Sequence, residues 1–276
     1  MAASRNKPST DLSKRVGAFL AARLAPDGLL SVGLSGGCDS VVLLHALVAL
    51  GLGKRLQAIH IHHGLSPNAD AWADFCADYC RRLGVSLVTR RVAVDTTAGL
   101  GLEAAARNAR YAAFGELAGD TLLLAHHRGD QAETVLFNLL RGAGVTGAAG
   151  IPAERRFGQH RLLRPLLDVS RGEIEAYARH VGLAWIDDES NSDIAITRNF
   201  LRHQTLVALA QRFPAAESAL ALAASHFAEA GALLDELAEL DWQRVAEGSA
   251  ARLGDLRQLS VPRVKNLLRH RLRLLG

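Results

Sequence analysis

The sequence predicts an α/β fold, a doubly wound and mainly parallel sheet followed by a small α-helical domain. Three observations carry that expectation. From Leu29 to Val145 short apolar runs alternate with helix-length amphipathic segments, the pattern of successive βα units. The first run passes straight into the glycine pair Gly36-Gly37 and then a helical pattern, the turn a parallel strand makes at its carboxyl end. Beyond Pro214 the composition changes to alanine and leucine with acids at Glu217, Glu229, Asp235, Glu236, Glu239 and Asp241, which marks a separate helical element.

The strands expected are Leu29–Leu34, Leu56–His62, Val85–Val92 and Thr121–Ala125. Helices are expected at Ser40–Leu50, Pro67–Leu83 and Leu102–Leu117, where apolar residues recur at three- and four-residue spacing. Ser66 before Pro67 reads as an N-cap and a first-turn proline. A further helix, Asp130–Arg141, stops at the glycine-rich stretch Gly142–Gly150. Ser170 and Glu173 stand at capping-box spacing ahead of a helix carrying Ile174, Tyr177 and Val181, and another helix is expected over Arg198–Arg212. Ser260 and Pro262 open a last helix bearing Arg263, Lys265, Arg269, Arg271 and Arg273.

Composition excludes several classes. The chain has 276 residues, of which 49% are hydrophobic and 22% charged, and its longest apolar runs fall well short of the roughly 20 residues a membrane span needs. No membrane partner is expected. The polar segment Met1–Lys14 lacks the apolar core of an export signal, and three cysteines, Cys38, Cys76 and Cys80, fit a reducing compartment, so a cytoplasmic location is expected. A net charge of +4 permits an anionic partner without requiring one.

The chemistry concentrates in two segments. Ser35-Gly-Gly-Cys-Asp-Ser40 follows a buried strand and opens a helix, so backbone N–H groups, two hydroxyls and the positive helix end converge on one spot suited to phosphate. No lysine follows the glycines, which removes a Walker loop, and His60, His62 and His63 stand where a ribose-binding acid would end the second strand of a dinucleotide fold. A tight strand-to-helix turn with no ligand remains the alternative. The second segment, Ala125 to Thr134, ends another parallel strand at the same sheet edge; Asp130 and Glu133 share a helical face and, with Asp39, suit a magnesium ion beside phosphates. Acids are common in a first helical turn for electrostatic reasons alone, so each half is ambiguous without the other. Gly142-Ala-Gly-Val-Thr-Gly147 spells GxGxxG after a helix instead of a strand, and the histidine group lacks structural-zinc spacing; both are set aside.

Ser35-Gly-Gly-Cys-Asp-Ser40 resembles the SGGxDS motif of the PP-loop ATP pyrophosphatases, whose fold is adenine-nucleotide α-hydrolase-like and which cut ATP between the α- and β-phosphates. Within that superfamily His60–Ser66, Gly101–Tyr111, His126–Thr134, Arg141–Pro152 and Asp187–Asn199 are similar to motifs of the bacterial tRNA(Ile)-lysidine synthetases. The resemblance covers residues 15–212 and continues more weakly to the end. It implies ATP and magnesium as cofactors, and adenylation of the C2 oxygen of the wobble cytidine in isoleucine tRNA with a CAU anticodon. Free L-lysine then displaces AMP to form lysidine. A homodimer is compatible with this reading.

Carried over residue by residue, the resemblance places Ser35, Gly36, Gly37, Cys38, Asp39 and Ser40 in the pyrophosphate loop. It makes Asp39, Asp130 and Glu133 the magnesium set and adds His126 to them as catalytic. His62, Arg107, Arg110 and Arg198 are expected on the nucleotide, with tRNA phosphate as the alternative for Arg107 and Arg110 and a solvated arginine face as the plainer one. Arg198 and Asn199 complete the ATP or lysine site, and Asp187, Asp188, Glu189 and Asp193 suit a cationic lysine. Gly129 stands where the family usually has an acid. Family members often carry a further C-terminal domain and this sequence ends at Gly276, so a short natural or a truncated form is expected. The domains expected are 1–212, catalytic, and 213–276, helical, for tRNA binding or linkage. Another PP-loop tRNA-modifying enzyme, such as a thiolase, and an inactive tRNA-binding form are the alternatives; the thiolase is disfavoured because no CxxC pair is present.

Overall fold

The computed structural model describes residues 8–25, 27–95 and 101–275. Two compact units divide them: one holds the described residues to Glu133 together with Ile151–Glu217, the other Thr134–Gly150 together with Ser218 onward.

In the first unit the chain runs α1 (Pro8–Ala21), β1 (Leu30–Gly33), α2 (Cys38–Ala49), β2 (Leu56–His62), α3 (Ala69–Leu83), β3 (Ser86–Arg91), α4 (Leu102–Leu117) and β4 (Thr121–Leu123). It then enters α5 (Arg128–Leu140), which passes into the second unit with α6 (Val145–Ala148), and returns through β5 (Glu154–Phe157), β6 (His160–Leu163), α7 (Arg171–His180), α8 (Thr197–Phe200) and α9 (Leu206–Arg212). The strands lie in the order β3-β2-β1-β4-β6-β5, parallel except for the β5–β6 hairpin. The chain builds outward from β1 to β3, then crosses to the other side of β1 for β4. The carboxyl ends of β1 and β4 therefore flank the switch point where such sheets bind ligands.

Alternation places the core on both faces. Leu123 of β4 packs with α2, α1 and α7 on one side, while its neighbour Leu122 joins Ile59, Phe114 and Leu162 on the other. Helix α2 is buried along nearly all its length because α1 and α7 cover it; Leu12, Val16 and Leu20, at four-residue spacing, supply the α1 contribution. The capping box forms as expected: Ser170 Oγ accepts from Glu173 N–H while Glu173 accepts from the Ser170 backbone at 2.8 Å. Glu173 also binds Arg15 at 2.7 Å, which ties α7 to α1.

Several elements differ from expectation. Helix α1 starts within the polar segment Met1–Lys14, for which no element is expected from the sequence. Ser66 does not cap α3; its hydroxyl accepts from Asn68 N–H at 3.1 Å in a turn, and the helix begins at Ala69. The β5–β6 hairpin carries Glu154, Arg155 and Arg156 on an exposed edge strand, whose charge leaves no apolar run to mark it in the sequence. The helix expected over Arg198–Arg212 contains a π-turn at Leu201–Thr205.

The second unit adds α10 (Ala216–Val245), the two-residue strands β7 (Ala246–Glu247) and β8 (Ala250–Ala251), α11 (Leu253–Leu256) and α12 (Val261–Leu275). Ala238, Val245 and Leu267 form its small core with Trp242 and Leu259. Asp241, fully buried, receives both arms of Arg263. Arg273 pairs with Asp235, and Arg271 lies 4.1 Å over the Trp242 ring, so three of the five basic residues of α12 are engaged within the unit.

Candidate active site

The glycine turn sits at the end of β1. Gly36 has φ +90°, and a Cβ there would lie 2.5 Å from Ile186 Cδ1, so both conformation and space call for glycine. Ile186 N–H donates to Gly36 C=O at 2.9 Å, anchoring the segment before the Asp187–Asp193 loop on the turn. Ser40 Oγ donates to Gly37 C=O at 2.9 Å and accepts from Ser35 N–H at 3.2 Å, and the two hydroxyls are 3.2 Å apart. Gly37, the N-cap of α2, supplies no side-chain bond, and the first helical bond is Val41 N–H to Gly37 C=O. The amides of Cys38, Asp39 and Ser40 therefore form an open anion seat at a helix N-terminus.

From the end of β4 comes the second half. His127 is buried, and its Nδ1 accepts from Gly129 N–H at 3.0 Å, which leaves the ring proton on Nε2. That nitrogen faces Asp39 Oδ2 at 3.9 Å and Asp130 Oδ2 at 3.7 Å, so the acids expected to cooperate do meet, with an imidazole between them. A Cβ on Gly129 would press within 2.7 Å of the His127 ring, which accounts for the glycine where the resembling family usually has an acid. Asp130 Oδ2 also accepts from His127 N–H at 2.9 Å. Burial pushes the Asp39 and Glu133 carboxyls above their ordinary values; Asp130, although burial acts on it in the same sense, is held below by the neighbouring histidines and by that N–H.

Arginines complete the balance. Arg171 Nη1 donates to both oxygens of Asp39, at 2.7 and 2.6 Å. Arg202, on the π-turn, donates to Glu133 Oε1 at 2.6 Å and to Asp130 Oδ1 at 3.2 Å. Glu133 is 2% exposed, so Arg202 compensates a charge that water does not reach. His126, the expected catalytic histidine, accepts at Nδ1 from Arg164 Nε at 3.1 Å, and burial lowers it to about 3, so it is a neutral Nε2–H donor near pH 7.

The remaining expected residues are placed as follows. His62 is buried and meets Asp70 at 3.1 Å; His60 donates through Nδ1 to Leu34 C=O at 2.9 Å and so props the end of β1. Arg107 and Arg110 lie one turn apart on α4, and Arg198 reaches Glu103 of the same helix at 3.7 Å. In the acidic loop Glu189 accepts from Asn68 at 2.6 Å, and Asp193 accepts from Ala195 N–H at 2.9 Å. Asn199 donates to Asp193 C=O at 2.9 Å. Cys38 is buried at the head of α2 with its thiol pushed up to about 11, and Cys76 and Cys80 are buried and free. No group of three or more His, Cys, Asp or Glu side chains is arranged as a metal cluster among the described residues. The Asp39, Asp130 and Glu133 oxygens are nonetheless the hard donors magnesium takes, with Arg171, Arg202 and His127 on them here.

His127, Arg164, Arg171, Ile186 and Arg202 were not singled out by role from sequence. The adjacency of His127 to His126 and the position of Arg202 four residues after Arg198 were the available signals.

A phosphate seat at the switch point with acids facing it defines a nucleotide-handling α/β protein, and the chain belongs to the PP-loop family, whose domain model matches residues 8–209. Its relatives carry a more particular name. It is 53% identical over 215 residues to the tRNA(Ile)-lysidine synthase of Pseudomonas fluorescens (strain Pf0-1), covering 76% of this chain and 48% of that one. It is 46% identical over 273 residues to the protein of that name from Alkalilimnicola ehrlichii, covering 98% and 61%. The chain thus spans about half to three-fifths of the length of the curated relatives it matches. Among solved structures the U34-tRNA thiolase NcsA from Methanococcus maripaludis superposes with a TM-score of 0.67 at 16% identity, covering 82% of this chain and 81% of that one, which shows a shared fold.

Proposed function

We propose that this chain ligates lysine onto C2 of the wobble cytidine of CAU-anticodon isoleucine tRNA, through an adenylated cytidine, with release of AMP and pyrophosphate. The single observation that carries the reading is the meeting of Asp39 with Asp130 across His127, beside the open amides of α2. The names of the relatives supply the substrate.

In this reading the Cys38, Asp39 and Ser40 amides and the Ser35 hydroxyl hold the phosphates that leave as pyrophosphate, where charge develops as the α-phosphate is attacked. Asp39, Asp130 and Glu133 hold magnesium, which when bound neutralises that charge. Arg171 and Arg202 keep these carboxylates oriented, and Arg202 also offsets the buried Glu133. His126 donates its Nε2–H and does not act as a base through Nδ1, which Arg164 occupies. Arg110 and Arg198 face the nucleotide and Arg107 the tRNA phosphate, and the loop carrying Asp187 and Asp188 admits the lysine ammonium. Residues 1–212 do the chemistry and 213–276 help hold tRNA, in a cytoplasmic protein that can pair as a homodimer. Sulfur insertion is less well supported: the described cysteines are buried, with burial pushing Cys76 to about 12 and Cys80 to about 11, where a thiolate nucleophile is scarce.

Mass spectrometry of nuclease fragments from that tRNA, after incubation with protein, magnesium-ATP and lysine, tests the proposal. A lysidine-mass anticodon fragment is expected. An unchanged fragment in a preparation that binds ATP would contradict it.

A further inference from the structure

Near His126, Arg107 and Arg110 of α4 gather with Arg164, which follows β6. Arg107 of α4 lies 5.0 Å from the Tyr111 ring centroid, and Arg155 of β5 lies 5.3 Å from the same ring. Phe157 meets the ring edge at 5.5 Å and fixes its plane. Arg164, 2% exposed, gives Nε to His126 and Nη1 to Pro152 C=O at 2.6 Å. Arg107, Arg110, Arg155 and Arg164 form no ion pair with a carboxylate among the described residues. The Tyr111 hydroxyl is buried beside the Arg164 guanidinium. Burial alone would raise this phenol; the guanidiniums of Arg107, Arg164 and Arg155 instead bring it below its ordinary value, which reports the positive potential at the spot.

A stacked guanidinium keeps its N–H edge free in a fixed orientation, the geometry that phosphate oxygens take. Clustered cations without a carboxylate in ion-pair contact are costly unless an anion completes them. Arg155 lies on the edge strand β5 and Arg164 directly follows β6, away from the glycine turn that ends β1, and Arg164 reaches His126. We propose that Arg107 and Arg155, stacked on Tyr111 with the buried charge of Arg164 behind them, form a phosphate subsite for the RNA backbone next to the nucleotide being modified. This rests on the tRNA reading above and adds to it the residues that would guide the strand.

The test measures binding of the whole chain to a CAU-anticodon stem-loop RNA across a salt series, and separately to ATP, for the unaltered protein, Arg155→Ala and Arg155→Lys. Arg155 is exposed on an edge strand, so its replacement leaves the core intact. Loss of one phosphate contact should weaken RNA binding about tenfold and reduce the slope of log K against log salt by about 1 in Arg155→Ala. Arg155→Lys should retain the slope with an intermediate loss of affinity, and ATP binding should move less than twofold. RNA binding with an unchanged slope in Arg155→Ala would overturn the subsite alone. Loss of ATP affinity with RNA binding intact would give the cluster to a nucleotide polyphosphate and overturn the RNA assignment. An unaltered chain with no affinity for the RNA would overturn the tRNA reading itself.

Discussion

At the scale of single residues, Gly36 and Asp39 make the sharpest demands. Gly36 combines a left-handed φ with a neighbour 2.5 Å from any added Cβ. Gly36→Ala should strain the turn by about 1–3 kcal/mol and swing the α2 amides off the anion, so ATP affinity measured by calorimetry should drop at least tenfold. Asp39 is positioned by Arg171 and His127 and lies in the first turn of a helix whose core contacts come from other residues. Asp39→Ala should therefore reduce ATP-dependent AMP formation about a hundredfold or more while the folded fraction, followed by circular dichroism, stays unchanged. Retained turnover in the folded variant would defeat its assignment to the phosphate and magnesium site.

Among the elements, the π-turn at Leu201–Thr205 is the one whose role is chemical. Its extra residue per turn changes which side chains share a face, and Arg202 on it donates to Glu133 and Asp130 of α5. Arg202→Ala would leave Glu133 buried without a partner, so urea unfolding should show a loss of about 3–5 kcal/mol, with part of it recovered in Arg202→Ala combined with Glu133→Gln. This pairing was not legible in the sequence because nothing in Arg198–Arg212 marks the π-turn that brings Arg202 onto Glu133. The parallel strands β1, β2 and β4 were legible, since strands buried on both faces read as continuous apolar runs. The β5–β6 hairpin was not: on an exposed edge charge replaces the apolar alternation that reveals a strand. Likewise Asp39, Asp130 and Glu133 stood out as acids at helix starts, whereas Arg171 and Arg164 come from elements distant in sequence and only the fold brings them in.

Across the whole molecule, half-buried histidines link the site to stability. His126 is lowered to about 3 and His63 to about 4, both chiefly by burial, against an ordinary value near 6.5. Their folded forms resist protonation more than their unfolded forms do. The stability they contribute is complete above pH 6.5 and is lost as pH falls toward 4 and 3. The melting temperature should therefore fall between pH 6.5 and 4, and His63→Gln should flatten that fall; an equally steep profile in the variant would assign the acid sensitivity elsewhere. No helix among the described residues is long and apolar enough to cross a membrane.

The contact between Gly129 and His127 has an evolutionary consequence. Because any Cβ at 129 would meet the imidazole at 2.7 Å, the two positions cannot drift independently. In an alignment of PP-loop sequences, lineages with a side chain at 129 should carry either a different residue at 127 or compensating changes around it. The two columns should show covariation above the background of the family. Independent variation would mean that the ring swings aside at little cost, and that its place between Asp39 and Asp130 is under no selection.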